Sequence, residues 1–184
     1  MKRDEALALL RDCVKSENLV KHCLATEAIL RALAARLKAD AEVWGQAGLL
    51  HDLDFEETKD TPAQHSLKTA QILEQHGFPP EFAKAVKAHN AEALGMKRET
   101  PLEFALATAE TITGLIVATA LVQPDKKLAS VRPESVIKRM KKKDFARNVN
   151  REIIMECEKL GLSLEEFVAL SVEAMQGMAG ELGL

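Results

Sequence analysis

Six side chains in this 184-residue chain carry most of its chemical potential: His22, His51, Asp52, His65, His89 and Glu110. Read on helical spacing, His22 shares a face with Thr26, Ile29 and Leu33, so its imidazole points inward. His51 follows Ala47-Gly48-Leu49-Leu50, where the one polar residue nearby is Gln46. His65 falls in an apolar arc with Ala70, Ile72 and Leu73, and His89 lines up with Phe82 and Ala85. Glu110 is the only charged residue between Phe104 and Val122, and Asp52 sits in a similarly apolar setting.

Buried polar rings need partners, because an unsatisfied one costs about 1–3 kcal/mol, and an unpaired buried carboxylate costs more. Any one inward histidine is most simply a hydrogen-bonded core residue. Four of them with two acids and no nearby Lys or Arg point instead to one or two divalent ions, which satisfy imidazole nitrogens and carboxylate oxygens together. Such a His-rich set suits Fe, Mn, Zn, Co or Ni better than Mg alone. His76, beside Gly77, reads as a helix cap, and Cys23 as core.

The elements that position these residues read as helices throughout. Apolar residues recur at three- and four-residue spacing, and alternating β-branched runs are absent. Ser16 caps a helix to about Lys38, and Asp40 caps one from Ala41 to about Leu53. Thr61-Pro62 opens a helix that stops at Gly77, and Pro79-Pro80 a short one to about His89. Thr100-Pro101-Leu102-Glu103 combines a capping box with a first-turn proline and starts a helix through Val122. Helices are expected over Pro133–Lys143 and Phe145–Leu160, and Ser163 with Glu166 caps the last one, Leu164 to Leu182. The expectation is a single all-α domain spanning residues 1–184, a compact helical bundle. Its metal-site core covers about 18–122, and C-terminal helices from 133 to 182 pack on it.

A net charge of -3, a pI near 6.0 and no tyrosine give no overall electrostatic or stacking reason to expect nucleic acid. Three cysteines without a CxxC pair fit a reducing cytosol, and an N-terminus that turns acidic at once gives no signal peptide, so a cytoplasmic protein is expected. The apolar stretch from Phe104 to Val122, interrupted by Glu110, is expected to be too short and too polar for a membrane. The final helix, with Met175 and Met178, serves either core packing or a homo-oligomer contact.

The order His22, then Gly48-Leu49-Leu50-His51-Asp52-Leu53-Asp54, then His65, His89-Asn90 and Glu110 resembles the HD superfamily of metal-dependent phosphohydrolases, in particular its small bacterial members. The resemblance covers about residues 18–122 and implies an all-α bundle. It implies that His22, His51 and Asp52 hold a first metal with the acid at position 110, and that His65 and His89 admit a second. The family usually has Asp where this chain has Glu110. His-Asp-x-x-Glu-Asp, as in guanosine-tetraphosphate hydrolases, is not matched, since Phe55 precedes Glu56-Glu57. The Gly-Tyr-Pro of cyclic-dinucleotide phosphodiesterases is absent with tyrosine itself, and so are the P-loop and Gly-x-Gly-x-x-Gly.

The chemistry expected is hydrolysis of a phosphoester or phosphoanhydride in a small, nucleotide-like or otherwise phosphorylated molecule, by a metal-activated water. Asp54 either orients that water or accepts its proton, as a second catalytic carboxylate beside Asp52, or is a solvated loop residue. The run Lys138-Arg139-Met140-Lys141-Lys142-Lys143 is either a phosphate clamp or a solvated face. Two other classes compete: a di-iron oxygenase on the same scaffold, and a non-catalytic metal- or ligand-binding module.

Overall fold

A computed structural model describes residues 1–184 and contains helices without strands. In order these are α1 (Arg3–Cys13), α2 (Glu17–Leu37), α3 (Ala41–Leu50), α4 (Phe55–Thr58), α5 (Leu67–Gln75) and α6 (Pro80–Lys87). They continue as α7 (Ala91–Leu94), α8 (Pro101–Leu121), α9 (Pro133–Met140), α10 (Arg151–Met155), α11 (Leu164–Gln176) and α12 (Ala179–Leu182), with 3-10 turns at Ala88–Asn90, Leu128–Ser130 and Glu156–Leu160. The architecture is an all-α bundle, with α2, α3 and α8 at its centre and α11 packed across α2. One connected core of 38 buried apolar residues runs through it.

The long helices begin where their caps dictate. Ser16 Oγ accepts the Leu19 amide, Asp40 Oδ1 those of Glu42 and Val43, and Ser163 Oγ that of Glu166. At α8, Thr100 and Glu103 exchange side-chain bonds with each other's amides, and Pro101 occupies the first turn. α8 spans 21 residues and is apolar enough to cross a bilayer by length and composition, which corrects the expectation of a stretch too short and too polar. Its apolar character has another cause: 67% of its most hydrophobic window is buried inside the bundle.

α2 and α3 approach so closely that a Cβ on Gly48 would stand 2.8 Å from the Glu27 nitrogen and 2.9 Å from its Cα. The buried Glu27 carboxylate accepts from Arg3 at 2.8 Å, which joins α1 to α2, and from Arg31 at 2.9 Å, whose guanidinium also donates to Glu42 at the start of α3. α1 itself was not evident from the sequence pattern; Ala6 and Leu10 alone are buried on its inner face.

Four segments differ from the sequence reading: the last helix, expected over Leu164–Leu182, is broken at Gly177 and Met178 into α11 and α12, and in the other three tertiary bonds outcompete local propensity. α3 ends at Leu50, and residues 51–54 turn inward to deliver His51 and Asp52. Residues 62–66 form turns instead of helix; α5 starts at Leu67, after a buried Ser66 at φ 70 whose amide is held by Asp54. The region 141–150 is a loop, which leaves only α10 and a 3-10 turn of the helix expected over Phe145–Leu160. The Arg151 guanidinium gathers the carbonyls of Lys142, Phe145, Ala146 and Val149, and so rolls this loop into a compact lobe.

Candidate metal centre

Four segments converge on Asp52. His22 comes from the second turn of α2, His51 from the turn closing α3, His65 from the 62–66 turns and His89 from the 3-10 turn after α6. Only one of the four imidazoles therefore sits within an α-helix. His51 and His89 are buried, whereas the His22 side chain, 26% exposed, faces the cavity mouth.

Each ring is fixed through Nδ1. His51 donates to the Gly48 carbonyl at 2.8 Å and His89 to the Val86 carbonyl at 2.6 Å. His65 donates to Asp54 Oδ1 at 2.9 Å. The Thr113 hydroxyl donates to the Glu110 carbonyl at 2.6 Å, which leaves its oxygen to accept from His22 Nδ1 at 2.9 Å. All four Nε2 atoms consequently turn inward, in the orientation that acceptors behind metal-binding imidazoles impose.

Asp52 divides its two oxygens between two pairs of rings. Oδ2 lies 3.7 Å from His22 Nε2 and 3.5 Å from His51 Nε2. Oδ1 lies 3.2 Å from His65 Nε2 and 3.5 Å from His89 Nε2. Within the pairs, the Nε2 atoms stand 3.2 Å apart for His22 and His51 and 2.9 Å apart for His65 and His89. With Nδ1 donating, each Nε2 offers a lone pair, and two lone pairs at this distance need a proton or cation to reconcile them. The donor atoms of His22, His51 and Asp52, and those of Asp52, His65 and His89, each lie within 4.8 Å of one another, so both trios fit a divalent ion.

The electrostatics follow from burial and this carboxylate. Burial drives the His51 pKa down to about 3 despite the attraction of Asp52, so its Nε2 is free of protons. At His65 burial also opposes the charge, but hydrogen bonds to Asp52 and Asp54 prevail and lift the pKa to about 9. Asp52 is desolvated, yet the surrounding imidazoles hold its carboxyl well below the usual carboxylate range.

Asp54 is not the solvated loop acid considered from sequence. It is buried; Oδ1 accepts from His65 and the Ser66 amide, and Oδ2 accepts from the Thr69 amide at 3.0 Å. Its work is to hold the His65 ring. Two further supports were missed in the sequence. Asn90 Nδ2 donates to the carbonyls of Pro62 and His65, which joins the His65 turn to the His89 turn. Arg98, paired with Glu92 and Glu156, donates to the His89 carbonyl at 3.1 Å.

Glu110 lines the same cavity, of about 500 Å³, with His22, Asp52, His65 and His89. Its carboxylate accepts from the Thr111 hydroxyl at 2.5 Å and lies outside the two donor trios. Burial raises its pKa, against the opposing pull of His89 and His22. Phe55, Asn148 and Asn150 form the cavity rim. His76 caps α5, with its ring on the Ile72 carbonyl, and the buried Cys23 is core.

An all-α scaffold that presents four inward imidazoles around a split aspartate defines a metal-binding helical domain. The HD domain family matches residues 19–121, more than half of the chain, and the protein belongs to that family, a superfamily of metal-dependent phosphohydrolases. An uncharacterized protein of Methanocaldococcus jannaschii is 32% identical over 111 residues, which cover 58% of this chain and 63% of that one. Ribonuclease Y of Nitratidesulfovibrio vulgaris strain DP4 is 28% identical over 99 residues, 54% of this chain and 18% of its own. Ribonuclease Y of Chlorobaculum tepidum is 32% identical over 79 residues, 43% of this chain and 15% of its own. The chain thus spans under two thirds of the first relative and under a fifth of these ribonucleases.

Proposed function

We propose that this protein is a metal-dependent phosphohydrolase acting on a phosphoester or phosphoanhydride. The observation that carries the reading is the division of Asp52 between two histidine pairs, with every Nδ1 already committed to an acceptor. His22, His51 and Asp52 would hold one ion, His65, His89 and Asp52 a second, and Glu110 would complete the set from the cavity wall. Bound there, divalent ions supply Lewis acidity to a phosphoryl oxygen and to the attacking water. The protein's part is to keep His51 unprotonated, Asp52 ionised and the rings aimed, and to confine the substrate in a cavity open on the Phe55 and Asn148 side. Asp54, Thr113, Asn90 and Arg98 act as positioning residues that hold those rings without touching the reacting groups.

The test joins elemental analysis of gently purified protein to release of nitrophenol from p-nitrophenyl phosphate and bis(p-nitrophenyl) phosphate. Stoichiometric transition metal and turnover, both abolished in His51→Ala, are expected. Metal-loaded protein inert towards these esters and a panel of nucleoside polyphosphates would overturn the reading. Iron-dependent oxygen consumption without phosphate release would replace it with the di-iron oxygenase, for which the shared aspartate is also suited.

A further inference from the structure

The net charge of -3 averages two regions of opposite sign. Ten of the 25 Lys and Arg lie between residues 126 and 151, against two of the 28 acids, so this stretch carries +8 and the remainder -11. Lys138, Lys141, Lys142, Lys143 and Arg147 are exposed, and no carboxylate stands within ion-pairing distance of any of them. Elsewhere the exposed bases Lys68, Lys84 and Arg11 have carboxylate partners at 2.5–3.0 Å, and those without one, such as Lys2, Lys38 and Lys59, do not fall together in one segment. The segment is thus a patch of uncompensated positive charge on an otherwise acidic protein.

Its placement ties it to the metal centre. Lys138, Arg139, Lys142 and Phe145 surround a hollow with Val122, and Asn148, Val149 and Asn150 of the same lobe form a wall of the cavity lined by His22, Asp52, His65 and His89. Asn148 lies three positions after Phe145, so the two Cα atoms that border the hollow and the cavity are within about 11 Å of each other. The four carbonyls gathered by Arg151 fix the lobe that joins them. Aromatic surface accompanies the charge: the Arg139 guanidinium lies 5.2 Å over the Phe145 ring, and Phe55, 39% exposed, stands at the cavity rim.

We propose that this lobe is a docking track for single-stranded polynucleotide, which lays its phosphates on Lys138, Lys141, Lys142, Lys143 and Arg147 and leads the strand to the metal centre. A row of exposed cations beside flat rings is the arrangement that holds a strand by charge and stacking without reading its sequence. A lipid surface would draw on the same charge. It is disfavoured because the patch abuts a cavity lined with amides and imidazoles, and because Phe145 is half-buried under Arg139 instead of projecting. The track gives the proposed phosphohydrolase its substrate class and rests on that reading for its purpose, while strand binding itself is measured without turnover.

The experiment follows anisotropy of fluorescein-labelled 12-nucleotide single-stranded RNA and DNA, with full-length protein metal-loaded and after chelation. Both forms are expected to bind at 50 mM salt, with affinity falling steeply as salt rises, by a log–log slope near -0.7 per phosphate contacted. The variant K138E/K141E/K142E/K143E should bind at least tenfold more weakly and with a slope shallower by about 3. K138A/K142A, a gentler change, should fall between, and both should melt as the parent does. Binding that ignores salt or these substitutions overturns the proposal, as does retention on phosphatidylserine vesicles with no strand bound. Strand binding without hydrolysis of any ester would instead sink the phosphohydrolase and leave the track standing.

Discussion

The Gly48 carbonyl accepts His51 Nδ1 at 2.8 Å, on a residue that also lets α3 touch the backbone of α2. Helix packing and ligand orientation therefore share one position. Gly48→Ala should place a methyl against the Glu27 backbone and destabilise the fold by about 1–3 kcal/mol. It should also swing His51 and lower metal occupancy. Denaturant unfolding with elemental analysis checks both, and an alanine variant as stable and as metal-rich as the parent would count against this coupling.

Asp54 is joined to the Asp52 cluster through His65, whose Nδ1 it holds at 2.9 Å. Asp54→Asn keeps the volume but removes the charged acceptor, so ion affinity at the His65 and His89 half should fall roughly 10–100-fold. The His22 and His51 half should keep its ion, so stoichiometry shifts from two towards one. Titration against a chromogenic chelator resolves the two steps, and loss of both together would show a general folding defect.

His65 sets the pH response of the chelated protein. Its folded pKa of about 9 lies above the ordinary 6.5, so its proton stabilises the fold fully below about 6.5, and that support is lost as pH rises through 9. Stability of the chelated protein should decline across this window by at most about 3 kcal/mol, the limit set by the size of the shift. Metal uptake below pH 9 should release this proton, and affinity should therefore climb with pH. A flat or rising denaturation midpoint between pH 6.5 and 9 would contradict the assignment.

Glu110 predicts opposite signs for stability and binding. Burial raises its pKa, so its charge burdens the ion-free fold, and Glu110→Gln should raise the melting temperature of chelated protein. The same change should weaken metal affinity if the carboxylate completes the donor set. Differential scanning calorimetry and metal titration give the two numbers; unchanged affinity would remove Glu110 from the site.

The helices around His22 and Glu110 were legible because Ser16 and the Thr100 and Glu103 box act through neighbours in sequence. The inward direction of the histidines was legible for the same reason. The elements bearing three of them were not, because the bonds that end α3 and delay α5 come from Asp54 and Thr69, which meet only after folding. Asp54 illustrates the limit: an acid after a His-Asp pair reads as catalytic or exposed until its three donors are located. The basic run at residues 138–143 was visible from the start, but its meaning depends on the lobe that Arg151 builds beside the cavity.

Because His51, His65 and His89 hang from turns, an ion here would do for this chain what a rivet does for hinged plates. Segments 51–54, 62–66 and 88–90 carry few helical bonds of their own, so chelation should let their amides exchange with deuterium faster while the α2 and α8 interiors stay protected.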